Sequence, residues 1–452
     1  MLKKEINIVI LAAGKGSRMK SNYPKVLHKL GGKTILEHVI KTAKSIKPNK
    51  IILVYKDQEK KILSIINNEY VQGVIQKEPK GTGDAILKAS KYFSDNDDII
   101  ILYGDMPFIS EKSIKKLIKY KKKSHITLLT AQIENPDGYG RIFRKNKKII
   151  KIIEDQHANA DQKKIKEVYS GTFIANAKDL KGWLNKVQNK NIKKEFYATD
   201  IIHFAYLEKK IIKTIQTSNY EEILGINNKL QLSILEKIFQ KKQIDDLLLS
   251  GVTLKDPYHF ILRGVLKHGK NVEIDTGVVL EGKIVLGNDV KIGAGSVIKN
   301  SFIGNKSEIK EYTIIENVTV GKKCIVGPFA HLRPKTILYD HIHIGNFVEI
   351  KESSIKKLSK IKHLSYLGNS EVGARVNIGA GSITCNYDGV NKFKTIIGDN
   401  VFIGANTELI APIKIAKNTI IAAGTTLIHD VDTPCLVYNN KEEKKKLIHP
   451  KK

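Results

Sequence analysis

The chain is poor in the residues that would fix it covalently or hold it in lipid. Its three cysteines, Cys324, Cys385 and Cys435, lie far apart and form no C-x-x-C pair. Neither a disulfide framework nor a zinc site is indicated, and a reducing, cytoplasmic setting is expected. No apolar run approaches the roughly 20 residues needed to cross a bilayer. The run Ile6 to Ala13 after Lys3-Lys4 is short and ends in Gly14-Lys15-Gly16, so it reads as a buried first strand and not as an export signal. Arginine is scarce too, with only Arg18, Arg141, Arg144, Arg263, Arg333 and Arg375 among 77 basic residues. A formal charge of +31 would suit a polyanion. Here, however, the charge is carried by lysines spread over nearly every segment, whereas nucleic-acid binders gather guanidinium on one face for phosphate and base recognition. The basic balance is read as solvated surface, with no nucleic-acid or membrane partner expected, and each arginine becomes informative.

What is present is an ordinary globular balance of 41% hydrophobic and 27% charged residues, in 452 residues, enough for two or more cores. From residue 5 to about 225, aliphatic runs at Ile6 to Leu11, Ile51 to Val54, Ile99 to Tyr103 and Ile126 to Ala131 alternate with helical patterns. Such runs predict strands of a parallel sheet covered on both faces, an α/β domain. Between Asn227 and Ser250, Leu230, Ile234 and Ile238 recur at near-helical spacing and Gly251 supplies a stop, which predicts a linking helix. The expected division is 1–227, a linker at 228–251, a second domain at 252–440 and a basic tail at 441–452.

After Gly251 the period changes to six. Aliphatics fall at Ile274, Leu280, Leu286, Ile292 and Ile298, then at Ile303, Ile309 and Ile315, then at Val320, Val326, Leu332, Leu338, Ile344 and Ile350. The series resumes at Val372 and Ile378 and closes with Ile397, Ile403, Leu409, Ile415, Ile421 and Leu427. This is the signature of hexapeptide repeats and predicts a left-handed parallel β-helix, with the aliphatic pointing into a narrow prism and the glycine that often follows it allowing a tight turn. The stretches Lys351 to Glu371 and Ala380 to Ile396 depart from the frame, and loops leaving a rigid scaffold there are the expected place for function.

Two constellations carry chemistry. Directly after the first strand comes Leu11-Ala12-Ala13-Gly14-Lys15-Gly16-Ser17-Arg18, followed by Pro24-Lys25. Glycines let backbone N–H groups face an anion, a following helix would offer its positive end, and Arg18 with Lys25 can neutralise a triphosphate. The pattern is neither G-x-G-x-x-G nor a Walker loop. In the repeat region, Arg333, Lys351, Lys362-His363, Tyr366, Asn377, Asn386 and Tyr387 gather around the breaks.

The first constellation resembles the sugar-nucleotide pyrophosphorylases, in which L-x-x-G-x-G-[ST]-R is followed shortly by P-K. Gln76 and Gly81-Thr82-Gly83 match their base-holding segment, and Tyr103-Gly104-Asp105 the strand end that carries a metal-binding aspartate. With Gly138-Tyr139-Gly140-Arg141, Glu154, Tyr197-x-Thr199-Asp200 and Gly225-x-Asn227-Asn228, the chain resembles the bifunctional N-acetylglucosamine-1-phosphate uridyltransferase/glucosamine-1-phosphate acetyltransferase family from about residue 5 to 430. The resemblance implies a Rossmann-like nucleotidyltransferase domain using UTP, N-acetylglucosamine 1-phosphate and Mg²⁺, the metal held by Asp105 and Asn227 and the transition state stabilised by Arg18 and Lys25. One departure is Tyr169-Ser170-Gly171, where the family has Asn-[TS]-Gly; an amide is missing from the sugar site, and Tyr169 is expected to turn away.

For the second constellation the resemblance implies that His363 is the general base in acetyl transfer from acetyl-CoA to glucosamine 1-phosphate. Arg333, Lys351, Tyr366 and Asn377 would bind the sugar phosphate, and Ala380, Asn386, Tyr387, Ala405, Ala423 and Asn440 would lie along acetyl-CoA. The family commonly has Ser at 405 and Arg at 440, so weaker CoA binding is expected, partly restored by Lys441 and Lys444 to Lys446. A homotrimer with the acetyl site between prisms is implied by resemblance alone. The rival readings are a monofunctional pyrophosphorylase with a structural β-helix and a nucleic-acid-binding protein.

Overall fold

A computed structural model describes residues 5–14, 16–56, 59–66, 71–191 and 194–439. The chain forms two compact units, Met1–Lys237 and Ile238–Lys452, and the division falls inside the helix Lys229–Leu249. No helix among the described residues is long and apolar enough to cross a membrane.

In the first unit the strand Ile6–Ala12 lies inside the sheet, paired in parallel with Lys50–Tyr55 on one side and Asp98–Tyr103 on the other. Alternate residues feed two cores: Val9, Ile52, Ile99 and Leu128 on one face, and Ile8, Ile10, Leu53, Ile100 and Leu102 on the other. Full burial of each such side chain contributes about 1.5–3 kcal/mol. The helices over these faces carry their own start signals. Thr34 and Glu37 form a reciprocal capping box on Ile35–Ser45, and the Ser110 hydroxyl caps Glu111–Lys121.

The sheet is mixed, not wholly parallel. Glu167–Asn176 runs antiparallel between Asp98–Tyr103 and Ile126–Gln132, while the four runs read from the sequence point the same way. This strand is buried on both faces like its neighbours, so its composition carries no sign of direction. Its register shifts between Tyr169 and Phe173, where Gly171 takes φ +91°. A side chain at Gly171 would press on the Tyr103 ring at 2.8 Å, so this irregularity shapes the space beside Tyr103.

The second unit is a parallel β-helix. Glu308–Ile309 pairs with Ile325–Val326, that with His343–Asn346, and that with Lys360–His363, one coil apart each time. The inward column Ile309, Val326, Ile344 and Ile361 is fully buried. Since one coil cannot cover its own apolar faces, the stack is what makes each coil stable.

Two expectations are corrected here. First, the glycines after the inward aliphatics, Gly327 at φ +101° excepted, do not make the turns: positive φ falls two residues later, mostly on Asn, Lys and aromatic residues such as Asn406, Lys306 and Phe347. Those glycines permit close stacking instead, because a side chain at Gly345 would overlap the Lys362 carbonyl of the next coil. Second, Lys351 to Glu371 is not a break. Ile355, Ile361 and Leu367 keep the inward frame with shortened corners. The stretch looks loop-like because Ser353, Ser359 and Ser365 occupy buried positions, where the Ser359 hydroxyl donates to the Gly373 carbonyl at 2.8 Å and accepts from the Val376 N–H at 3.0 Å. The departure at Ala380 to Ile396 is real: between Ile383–Cys385 and Thr395–Ile397 the chain leaves the coil, and Tyr387 bridges to Lys392.

Candidate active sites

In the first unit the strand end delivers Leu11, Ala12 and Ala13, all nearly buried, to Gly14 and the left-handed Gly16. Lys15 lies outside the described residues. The expected helix with its positive end is absent among the described residues. The chain instead makes the single 3-10 turn Ser17–Met19, ended by Lys20 at φ 47°. One turn has negligible macrodipole, so the positive potential comes from side chains. Arg18 Nη2 donates to Asn227 Oδ1 at 3.0 Å, Lys25 Nζ donates to the same oxygen at 3.2 Å, and Lys25 forms a short ion pair with Asp105. A side chain at Gly16 would meet Lys25 Cβ at 3.0 Å, which ties the glycine to the placing of this lysine. Asp105 arrives from the end of Asp98–Tyr103, and Gly104 N–H bonds back to the Leu11 carbonyl at 2.9 Å, bringing the two strand ends together.

The donor set fits a hard divalent cation. A carboxylate and an amide oxygen already converge on the Lys25 ammonium, and a few oxygen ligands beside substrate phosphates suit such a metal. Among the described residues no group of three or more His, Cys, Asp or Glu could form an all-protein cage.

Next to this pair, Gln76 is nearly buried and donates to Gly81 O at 3.2 Å and to Asp84 Oδ2 at 2.6 Å. Thr82 Oγ1 accepts from the Ala198 N–H at 3.0 Å. Gly81 stands at φ +110°, and a side chain there would lie 2.5 Å from the Phe196 carbonyl, so only glycine fits. Asp84, which sequence reasoning missed, orients Gln76.

Tyr103, Gly140, Glu154 and Tyr169 form a third wall. Glu154 accepts from Thr199 Oγ1 at 2.8 Å. The Tyr169 N–H bonds to the Gly140 carbonyl at 2.8 Å, and its hydroxyl donates to the Gly171 carbonyl at 2.7 Å. Tyr169 is buried and its hydroxyl is spent within its own strand. Burial, joined by Tyr103 and Glu154, pushes the Tyr169 phenol well up, and burial followed by Glu154 does the same for Tyr103. Asp200 is also raised, by burial first and by the Glu154 charge second.

In the β-helix, His363 closes the regular strand Lys360–His363, not an irregular stretch. Its Nδ1 lies 2.9 Å from Asn346 Oδ1, directly across from it on the preceding coil. A carbonyl oxygen only accepts, so Nδ1 carries the proton and Nε2 keeps a free lone pair, the tautomer a general base needs. Asn346 was missed from sequence; the signal is its spacing of one coil before His363. The register through Ile361, Ile378, Ile403 and Ile421 sets His363, Ala380, Ala405 and Ala423 at equivalent positions of successive coils, a column of small residues running from the imidazole.

The adjoining face carries the cations. Arg333 Nη1 donates to Glu349 Oε1 at 2.7 Å, and Glu349 pairs in register with Tyr366. The ammonium of Lys392 beside Lys351, with burial and Arg333 adding to it, pushes the Lys351 amine below the usual lysine range. Lys392, also missed from sequence, is brought there by the loop that begins at Asn386 and Tyr387. Asn386 is buried with its amide on Asn369 Oδ1 at 2.7 Å, while Tyr387 is exposed and donates to the Gly389 carbonyl. Asn377 pairs in register with Lys360, one coil further on. Asn440, Lys441 and Lys444 to Lys446 lie outside the described residues.

Comparison with known proteins gives three family matches. A MobA-like NTP transferase domain matches residues 8–170, a GMPPB C-terminal domain 262–346, and bacterial transferase hexapeptide repeats 394–429. The chain is 77% identical over 446 residues to the bifunctional protein GlmU of Buchnera aphidicola subsp. Schizaphis graminum, covering 99% of this chain and 97% of that protein. Identity to the GlmU of Buchnera aphidicola subsp. Acyrthosiphon pisum is 69%, with the same coverage. To that of Buchnera aphidicola subsp. Baizongia pistaciae it is 53%, covering 99% of both chains. With a nucleotidyltransferase fold at its start, a hexapeptide transferase stack after it and this likeness over nearly its whole length, the chain belongs to the bifunctional GlmU family.

Proposed function

We propose that the chain makes UDP-N-acetylglucosamine in two steps. The β-helix transfers the acetyl group of acetyl-CoA to the amine of glucosamine 1-phosphate, and the first unit then couples the product to UTP with release of pyrophosphate, supplying a cell-wall precursor. The observation that carries the first step is His363, with Nδ1 fixed by Asn346 and Nε2 left to act as base, in the same unit that holds Lys351 against Lys392 and Arg333. Arg333, Lys351 and Lys392 suit a phosphate dianion, while Ala380, Ala405 and Ala423 leave room for a pantetheine arm. His363 Nε2 takes the proton from the amine as it attacks the thioester carbonyl, and the tetrahedral intermediate collapses with cleavage of the C–S bond, CoA leaving as the thiol once it takes up a proton.

For the second step, Arg18 and Lys25 leave Asn227 and Asp105 to hold the triphosphate, Gln76, Gly81 and Thr82 hold the base, and Gly140, Glu154 and Tyr169 wall the sugar. Mg²⁺ at Asp105 and Asn227 would screen phosphate charge. The phosphate of N-acetylglucosamine 1-phosphate attacks the α-phosphorus in line, and positioning does most of the work. The three unpaired thiols fit a cytoplasmic setting. Offering the purified chain glucosamine 1-phosphate, acetyl-CoA, UTP and Mg²⁺, omitting each in turn, tests the reading. UDP-N-acetylglucosamine forms only in the complete mixture, and a chain that never acetylates glucosamine 1-phosphate is a monofunctional pyrophosphorylase.

The acetyl site lies on an open edge of the prism, and we read it as completed by two further copies in a homotrimer. Tyr312, Phe329 and Phe347 stack along the edge leading to Leu364, with ring centroids 5.4 Å apart and nearly parallel planes. All four are exposed and all have positive φ. Non-glycine residues in that region cost of order 1–3 kcal/mol each, so an apolar ladder held there is explained best by burial against another chain. Phe329→Lys is expected to convert a trimer into monomers in analytical ultracentrifugation and to lower acetyl transfer about 100-fold, with uridylyl transfer retained. A wild-type chain sedimenting as a monomer would exclude the trimer.

A further inference from the structure

Arg141 comes directly after Gly140, yet it is 0% exposed, so neither sugar nor phosphate reaches its side chain. Its Nη1 donates to the Tyr139 carbonyl, its Nη2 lies 3.0 Å from Asp155 Oδ1, and Asp137 stands 3.8 Å off. Burying an ionised guanidinium costs several kcal/mol unless it is paired, and an apolar side chain of similar volume is often the more stabilising choice. Arg141 Nε and Nη2 and Asp155 Oδ1 make no well-aligned hydrogen bond among the described residues, so the contact to Asp155 is an ion pair by distance and the group is a poor stabiliser taken alone. Its partners explain it better. Tyr139 immediately precedes Gly140, and Asp155 immediately succeeds Glu154.

Those two neighbours face each other. A side chain at Gly140 would strike Ile152 Cγ2 at 2.8 Å and stand 4.0 Å from Glu154 Oε2. Gly140 O accepts from the Tyr169 N–H, and Glu154 holds Thr199. One buried guanidinium therefore spans the turn that carries Gly140 and the corner that carries Glu154, gripping each through the adjacent residue. The Arg18, Lys25, Gln76 and Thr82 contacts of the nucleotide side involve none of these atoms.

We propose that Arg141 is a positioning residue that fixes the spacing between the Gly140 and Glu154 walls, and thereby sets affinity for the sugar phosphate and not for the nucleotide. This rests on the uridylyl-transfer reading above. Steady-state kinetics on the full chain with each substrate varied provide the test. In Arg141→Met the KM for N-acetylglucosamine 1-phosphate rises about tenfold or more while the KM for UTP stays within about twofold. Arg141→Lys, which reaches one partner but not both, falls between, and acetyl transfer by the same preparations is unchanged. Asp155→Asn keeps the shape and removes the charge, and it raises only the sugar-phosphate KM, by about threefold to fivefold; it decides the matter if Arg141→Met does not fold. Parallel rises for both substrates, or a sugar-phosphate KM unmoved in these variants, would overturn the proposal. Failure of the wild-type chain to form UDP-N-acetylglucosamine would instead strike the underlying reading.

Discussion

Replacing His363 with alanine should lower acetyl transfer to glucosamine 1-phosphate by about 10³-fold, with uridylyl transfer from UTP left at the wild-type rate. The chemistry sets the size of the loss. At neutral pH the substrate amine is largely protonated, and the attacking species must lose a proton as the C–N bond forms. A positioned base takes that proton, and general-base catalysis contributes about 10²–10⁴-fold. The imidazole is exposed and takes part in no core, so its loss should leave the melting temperature within about 2 °C of wild type. Asn346→Ala should produce a milder loss, about tenfold, because Nδ1 loses the acceptor that fixes the tautomer while the base itself remains. Coupled assays of each half-reaction on the same preparation separate the outcomes. Full acetyl transfer by the alanine variant would remove the central assignment in the second unit.

The converse variant is Asp105→Asn, expected to lower uridylyl transfer by about 10²–10³-fold while acetyl transfer continues. Asp105 holds the largely buried ammonium of Lys25, and the carboxylate and Asn227 are the oxygens a divalent cation would share. The asparagine keeps the shape and removes the charge, so the loss reads electrostatics and not packing. Calorimetric titration with Mn²⁺ should show the same variant binding the ion at least about tenfold more weakly. An unchanged rate with unchanged ion affinity would remove Asp105 from the site.

The inward column of the β-helix was legible because Ile309, Val326 and Ile344 obey a period that no other architecture imposes. Tyr169 was legible as a departure from the family's asparagine, and its hydroxyl donates to the Gly171 carbonyl. Strand direction was not: Glu167–Asn176 is as apolar as its parallel neighbours, and direction is set by how the chain returns to the sheet. Ser353, Ser359 and Ser365 were mistaken for loop because hydroxyls in a prism corner satisfy carbonyls of the next coil, a role invisible without coil length. The same missing length hid Asn346 behind His363, and Lys392 reaches Lys351 only through a loop whose path no periodicity predicts. Arg141 entered only as part of a motif shared with the family, and its burial is what sets it behind the wall.

The β-helix also determines how damage spreads. Each coil is pinned by the coil above and the coil below, so a lesion is felt by its two neighbours and fades beyond them. Fraying begins at the ends of the column and works inward, and His363 sits in its middle. Truncation from the C-terminal end would therefore first strip the floor at Ala423 and reach the imidazole last.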